Sequence, residues 1–238
     1  NLTRRGFSGG PLQVESCTLI AVNRHDLRAL SKALQAEPLE PWKAYREVYR
    51  GYVEEGGVTL ALSPIGAPNV VALAEELASF GMEKVLFLGY CGSLQPKVRA
   101  GHIVIPTETI REEGTSFHYL PPGVPSRPQQ EIQAIIVEVL QRNKVPYHQG
   151  TIWTTDAMYR ETRGKVRRYQ EEGVLGVEME LSALFGFGIS RGIKTGGLLV
   201  VSDELFDGRW RPLFSSPKFI IGVKRARKIA VETLRKML

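Results

Sequence analysis

The chain has 238 residues, 43% hydrophobic and 24% charged, the profile of an ordinary globular protein rather than of a disordered chain. No apolar run approaches the ~18 residues that a membrane-spanning helix needs. The net charge of +6 favours anionic partners or a solvated basic surface, but the basic clusters lack the interleaved aromatics of a single-strand nucleic-acid surface.

Thr3-Arg4-Arg5-Gly6-Phe7 looks like an export motif, but a polar, broken stretch follows where an apolar one is needed. Residues 1–14 are therefore expected to be a flexible arm ahead of a single domain spanning 15–238. Beyond them, strand-period and helix-period segments alternate to the end, which reads as α/β. Strands are predicted at Thr18–Val22, Tyr45–Val53 and Val58–Leu62, with Gly56-Gly57 as a turn. Helices are predicted over Asp26–Leu34 and after Gly66-Ala67-Pro68-Asn69. Val85–Leu88 is a fully apolar strand, and Gly89-Tyr90-Cys91-Gly92 reads as a turn after it. Next come a strand at His102–Pro106, a proline-rich loop at Pro121–Pro128 and an amphipathic helix at Gln129–Gln141. A strand at Tyr147–Trp153, a charged helix at Arg160–Glu171 and a strand at Val174–Val177 follow, and a helix runs on through Ser190. The chain ends with a strand at Ile193–Val201 and a long helix at Lys218–Leu238.

Several chemically capable groups fall just past strand ends, where α/β folds place ligands: Cys91, Thr154-Thr155-Asp156, Glu178-Met179-Glu180 and Ser202-Asp203-Glu204. A carboxylate in Glu178-Met179-Glu180 could accept both hydroxyls of a vicinal diol, as a ribose offers; alternatively both glutamates complement a helix dipole. Asp203, between two apolar stretches, is either a proton donor with a raised pKa or a turn aspartate. Met158 and Tyr159 either pack on a base or belong to the core. Cys91 reads as a buried thiol rather than a nucleophile, since no histidine neighbours it in sequence. His25, His102, His118 and His148 have no metal-ligand spacing, so no metal is expected. Cys17 and Cys91 make neither a CxxC motif nor a disulfide framework, and a cytoplasmic location is expected. No GxGxxG follows a strand, which leaves little for a dinucleotide-binding reading.

Taken together, five segments resemble the nucleoside phosphorylase / uridine phosphorylase superfamily over residues 17–238. These are Ser63-Pro64-Ile65-Gly66-Ala67-Pro68, Gly89-Tyr90-Cys91-Gly92-Ser93-Leu94-Gln95-Pro96, Gly101-His102-Ile103-Val104-Ile105-Pro106, Gly176-Val177-Glu178-Met179-Glu180 and Val200-Val201-Ser202-Asp203. The resemblance implies a three-layer α/β/α sandwich around a mixed, partly barrel-like β-sheet, in a homo-oligomer that is a dimer, trimer or hexamer. It implies cleavage of the N-glycosidic bond of a nucleoside, a purine one by the Asp203 match. No cofactor is implied, and phosphate is a possible co-substrate. Glu180 would hold the ribose hydroxyls with Met179 against the sugar. Glu178, Met158, Tyr159 and Arg209 would lie around the base, and Asp203 would be the acid that supports its departure.

Cys91, Gly92 and Tyr90 match the phosphate loop, and Arg46 matches an arginine that a neighbouring subunit supplies in some members. The chain also departs from the family. Phe87 and Tyr90 stand where an arginine and a hydroxyl residue are usual, and Asn23-Arg24-His25-Asp26 replaces a Gly-Asp-Pro loop, with Arg28 beyond it. A nucleosidase that uses water, or a nucleoside-binding protein without catalysis, are the alternatives.

Overall fold

The computed structural model describes residues 13–43, 45–54 and 56–238. Residues 1–12 of the expected arm lie outside it. Val14, at the arm's end, is buried and donates its amide to Phe80 O at 3.0 Å.

In chain order the elements are β1 (Cys17–Ala21), α1 (Arg24–Ala33), β2 (Glu37–Pro38), β3 (Val48–Val53), β4 (Gly56–Leu62), α2 (Ala67–Ala78), β5 (Lys84–Ser93) and β6 (Ile103–Glu112). Then come α3 (Gln130–Arg142), β7 (Tyr147–Thr155), α4 (Arg163–Glu171), β8 (Gly176–Glu178), α5 (Leu181–Arg191), β9 (Lys194–Glu204), β10 (Arg211–Pro212) and α6 (Pro217–Met237). Short 3-10 turns lie at Glu40–Trp42, Thr115–His118 and Met158–Arg160.

The strands form one mixed sheet in the order β10-β9-β6-β7-β8-β5-β1-β4-β3-β2, and β9 also pairs with β5. That extra pairing closes β5, β9, β6, β7 and β8 into a five-stranded barrel, from which β1, β4, β3 and β2 extend as an open wing. The central strands are apolar on both faces, as strands covered on both sides must be. One core includes α2 and α5 residues such as Val70, Leu77, Leu184 and Phe185. The other includes α1, α3 and α6 residues such as Leu30, Ile136, Ile229 and Leu234. The three-layer α/β/α arrangement with a partly barrel-like sheet is therefore present.

Two glycine-bearing turns were misplaced by the sequence reading. Gly56 and Gly57 pair opposite Val53 and Tyr52 inside the β3–β4 ladder. The chain reverses instead around Glu54, whose φ is 52°. Gly89-Tyr90-Cys91-Gly92 is the end of β5 rather than a turn, because β9 and β8 flank it and take up its backbone groups. A bulge between Cys91 and Gly92 shifts the register with β9 there. Boundaries also move: β6 runs on to Glu112 and β9 to Glu204, past the expected ends at Pro106 and Val201. The strand expected from Tyr45 begins at Val48, and the helix expected from Arg160 begins at Arg163, after a Thr162 N-cap.

Candidate active site

The register around Gly92 assembles the site. Gly92 lies opposite Val177 of β8 on one side and Asp203 of β9 on the other. This brings Glu178-Met179-Glu180 and Ser202-Asp203 together although they are distant in sequence. Glycine is needed there: a Cβ on Gly92 would lie 2.7 Å from Asp203 Oδ2 and 2.5 Å from Leu205 Cδ1.

Over this junction opens a cavity of about 430 Å³. Of the residues expected at a site, Asp203, Glu180, Met179, Glu178, Met158, Tyr159, Arg209, Cys91, Gly92 and Tyr90 all line it. Tyr159 is 95% and Met158 41% exposed, so both stand at the mouth rather than in the core. Arg46 does not line it. Its guanidinium is bidentate to Glu76, with Nε–Oε2 2.8 Å and Nη2–Oε1 3.0 Å.

Glu180 and Glu178 are both buried, but their surroundings differ. Glu180 Oε1 accepts from the Gly66 amide at 2.6 Å. Gly66 has φ 105°, a conformation open to glycine, and it starts α2. Glu178 Oε2 accepts from the amides of Glu180 and Leu181, each at 2.8 Å, and Oε1 accepts from Thr154 Oγ1. Glu178 thus satisfies the open N-terminus of α5 and ties it to β7. Its proposed contact with a base is left with little acceptor capacity. Burial raises both pKa values, and the Glu180 charge raises that of Glu178 further. The donors converging on each carboxylate favour its ionised form against that burial.

Asp203 stands at the other end of the group. Its Oδ1 accepts from Ser202 Oγ at 2.6 Å and its Oδ2 from Trp210 Nε1 at 2.9 Å. Burial raises its pKa against those two hydrogen bonds. Trp210 and Glu161, which the sequence does not nominate, also line the cavity and act on Asp203. Burial, with the Asp203 charge, pushes Glu161 up to about 7. The sequence signal for Trp210 was a lone aromatic seven positions after Asp203; Glu161 sits in a charged stretch with no signal of its own.

Cys91 is buried, and desolvation with the charges of Asp203 and Glu178 holds its thiol well above the ordinary range. Such a thiol is a poor nucleophile. Phe87 is fully buried in the core. Tyr90 donates its hydroxyl to Asp26, whose Oδ1 in turn accepts from Arg227 Nε at 2.6 Å. Arg24 pairs with Glu47. Among the described residues no cluster of three or more His, Cys, Asp and Glu side chains could hold a metal ion. No described helix is long and apolar enough to cross a membrane.

Comparison with known proteins gives this geometry its family. The model of the phosphorylase superfamily matches residues 18–235. A guanosine phosphorylase from Halorubrum lacusprofundi is 30% identical over 151 residues, an alignment spanning 63% of this chain and 63% of that protein. A uridine phosphorylase from Escherichia coli strain K12 is 25% identical over 222 residues, covering 87% of this chain and 86% of the relative. The crystal structure of a uridine phosphorylase from Vibrio fischeri ES114 matches the fold with a TM-score of 0.83 at 24% identity, covering 94% of this chain and 93% of the other. The chain belongs to the phosphorylase superfamily.

Proposed function

We propose that the protein cleaves the N-glycosidic bond of a nucleoside with phosphate, giving a free base and ribose 1-phosphate. One observation carries the reading: Glu180 and Asp203 line the same cavity, linked through the junction at Gly92. Glu180, ionised by the two hydroxyls that it accepts, holds the ribose and offsets positive charge developing on the sugar. Met179 packs beside it. Asp203, with its raised pKa, gives a proton to the departing base, which neutralises the negative charge that builds there. A purine suits this arrangement, because N7, in the same five-membered ring as the glycosidic nitrogen, can take the proton. The relatives include guanosine, uridine and purine nucleoside phosphorylases, and the purine reading rests on Asp203 alone. The reaction needs no cofactor.

The attacking phosphate would lie between the ribose and the Tyr90–Gly92 segment. A homo-oligomer in which a neighbouring copy supplies Arg46 would have to exchange the Glu76 pair for that phosphate. A second reading, water as nucleophile, is favoured by Phe87 being in the core and by Tyr90 being engaged with Asp26. The test is base release from purine and pyrimidine nucleosides with and without phosphate. Release that requires phosphate and favours purines supports the proposal. Equal release without phosphate replaces phosphorolysis by hydrolysis, and a preference for pyrimidines removes the role given to Asp203.

A further inference from the structure

A second cavity, of about 310 Å³, adjoins the first, and Tyr90 and Phe214 line both. Its charged lining residues, Lys224 and Arg227 from α6, are both basic, and His25 from α1 stands beside them. Lys224 and Arg227 are three residues apart on the helix and so share a face. Asn23 lines it too, and its Oδ1 already accepts from the His25 amide at 2.8 Å. The side-chain amide N–H groups of Asn23 are what it has left to offer. Arg227 is steered by Asp26, which accepts from its Nε and Nη2. Among the described residues no ion pair engages Lys224 or His25. The rim is thus built of donors: an ammonium, an imidazole, a carboxamide and a fixed guanidinium.

We infer that this second cavity receives a phosphate dianion, the 5′-phosphate of a nucleotide whose nucleoside part occupies the first cavity. The inference rests on the proposed reading of the first cavity and narrows its substrate to nucleotides. A free phosphate would carry the same charge, but the residues around the reacting bond argue against a nucleophile held here. Glu180, Met179, Cys91, Gly92 and Asp203 line the first cavity and not the second. The anomeric carbon must lie between the Glu180-held hydroxyls and the Asp203-held base. An anion across Tyr90 is away from that line and next to the sugar's remaining arm.

The test compares nucleoside 5′-monophosphates with the matching nucleosides, in wild type, Lys224→Ala and Lys224→Glu. A charge-assisted contact at a partly exposed site gives about tenfold in affinity. Wild type should therefore favour the nucleotide about tenfold or more in kcat/KM. Lys224→Ala should raise the nucleotide KM about tenfold and Lys224→Glu further, with nucleoside kinetics unchanged. Calorimetric titration of the nucleotide into wild type and Lys224→Glu tests the site without turnover, so its failure is separate from failure of the proposed reaction. No preference for the nucleotide overturns the inference. So does equal loss for nucleotide and nucleoside, or a change confined to the KM of inorganic phosphate.

Discussion

Glu180→Gln is the sharpest perturbation of the proposed chemistry. The carboxylate takes hydrogen bonds from the backbone N–H groups of Gly66 and Met179. An amide has a single acceptor oxygen, and the short Gly66 contact of 2.6 Å claims it. The NH2 group then faces the cavity, where the ribose hydroxyls need an acceptor. Two charge-assisted hydrogen bonds are at stake, each about 1.5–3 kcal/mol. The hydroxyls can turn to accept from NH2 and recover part of that, leaving a loss of about 2–4 kcal/mol. This corresponds to a fall of roughly 30- to 800-fold in kcat/KM. Stability supplies the control. Folding raises the pKa of Glu180, so its favourable contribution is fully present below the unfolded value of about 4.3 and is lost as pH rises through the folded one. The glutamine variant escapes that loss, and its Tm should decline less than wild type between pH 5 and 8.5. Steady-state kinetics beside Tm against pH reads both. A variant with normal Tm and kcat/KM within about fivefold of wild type would refute the placement of the ribose.

Trp210→Phe removes a donor from the ionised form of Asp203 and should move the alkaline limb of the kcat/KM profile up by about one pH unit; an unmoved limb refutes the contact's role. Glu161→Gln should move the same limb down, because it removes the negative charge coupled to Asp203; movement in the same direction as Trp210→Phe contradicts the coupling. Glu178→Ala strands the Glu180 and Leu181 amides and the Thr154 hydroxyl. It should cost about 3 kcal/mol, or roughly 6–12 °C in Tm, and a loss below 2 °C by calorimetry would show that α5 does not depend on this carboxylate. Gly92→Ala places a Cβ 2.7 Å from Asp203 Oδ2, so kcat should fall at least tenfold with KM changing less; unchanged kinetics would show that Asp203 tolerates displacement.

Patterns with a local cause were legible. Val85–Leu88 and Leu198–Val201 are apolar without interruption because both faces of the sheet are covered, and the amphipathic α3 shows its buried stripe at Ile132, Ile136 and Val139. The misread turns concern glycines. A glycine marks a turn when the chain has no neighbour, but at Gly92 it marks a close approach between strands and at Gly56 a place in a ladder. At Gly92 this depends on β8 and β9, which are 80 or more residues away, whereas Gly56 pairs with Val53 only three residues before it. The barrel closure of β9 on β5 is non-local in the same way, and it came from the resemblance rather than from any periodicity.

The site shows the same division. Glu180 and Asp203 could be nominated from their places at strand ends, and both line the cavity. Glu178 was nominated beside them, yet its oxygens serve the Glu180 and Leu181 amides and Thr154. Two glutamates in one tripeptide therefore do different work because the chain between them turns from strand into helix. The dipole reading fits Glu178, the ligand reading is the one proposed for Glu180, and the sequence offers both without dividing them. Tyr90 makes the converse point. Its place in the phosphate loop marked it as a departure, but its effect follows from Asp26 and Arg227, the latter more than a hundred residues away in α6. A hydroxyl held in that way is no longer free to serve an incoming anion. The same chain of contacts fixes Arg227 beside Lys224 at the edge of the second cavity. Tyr90, Asp26 and Arg227 thus form a single hydrogen-bonded network that runs from the first cavity to the second.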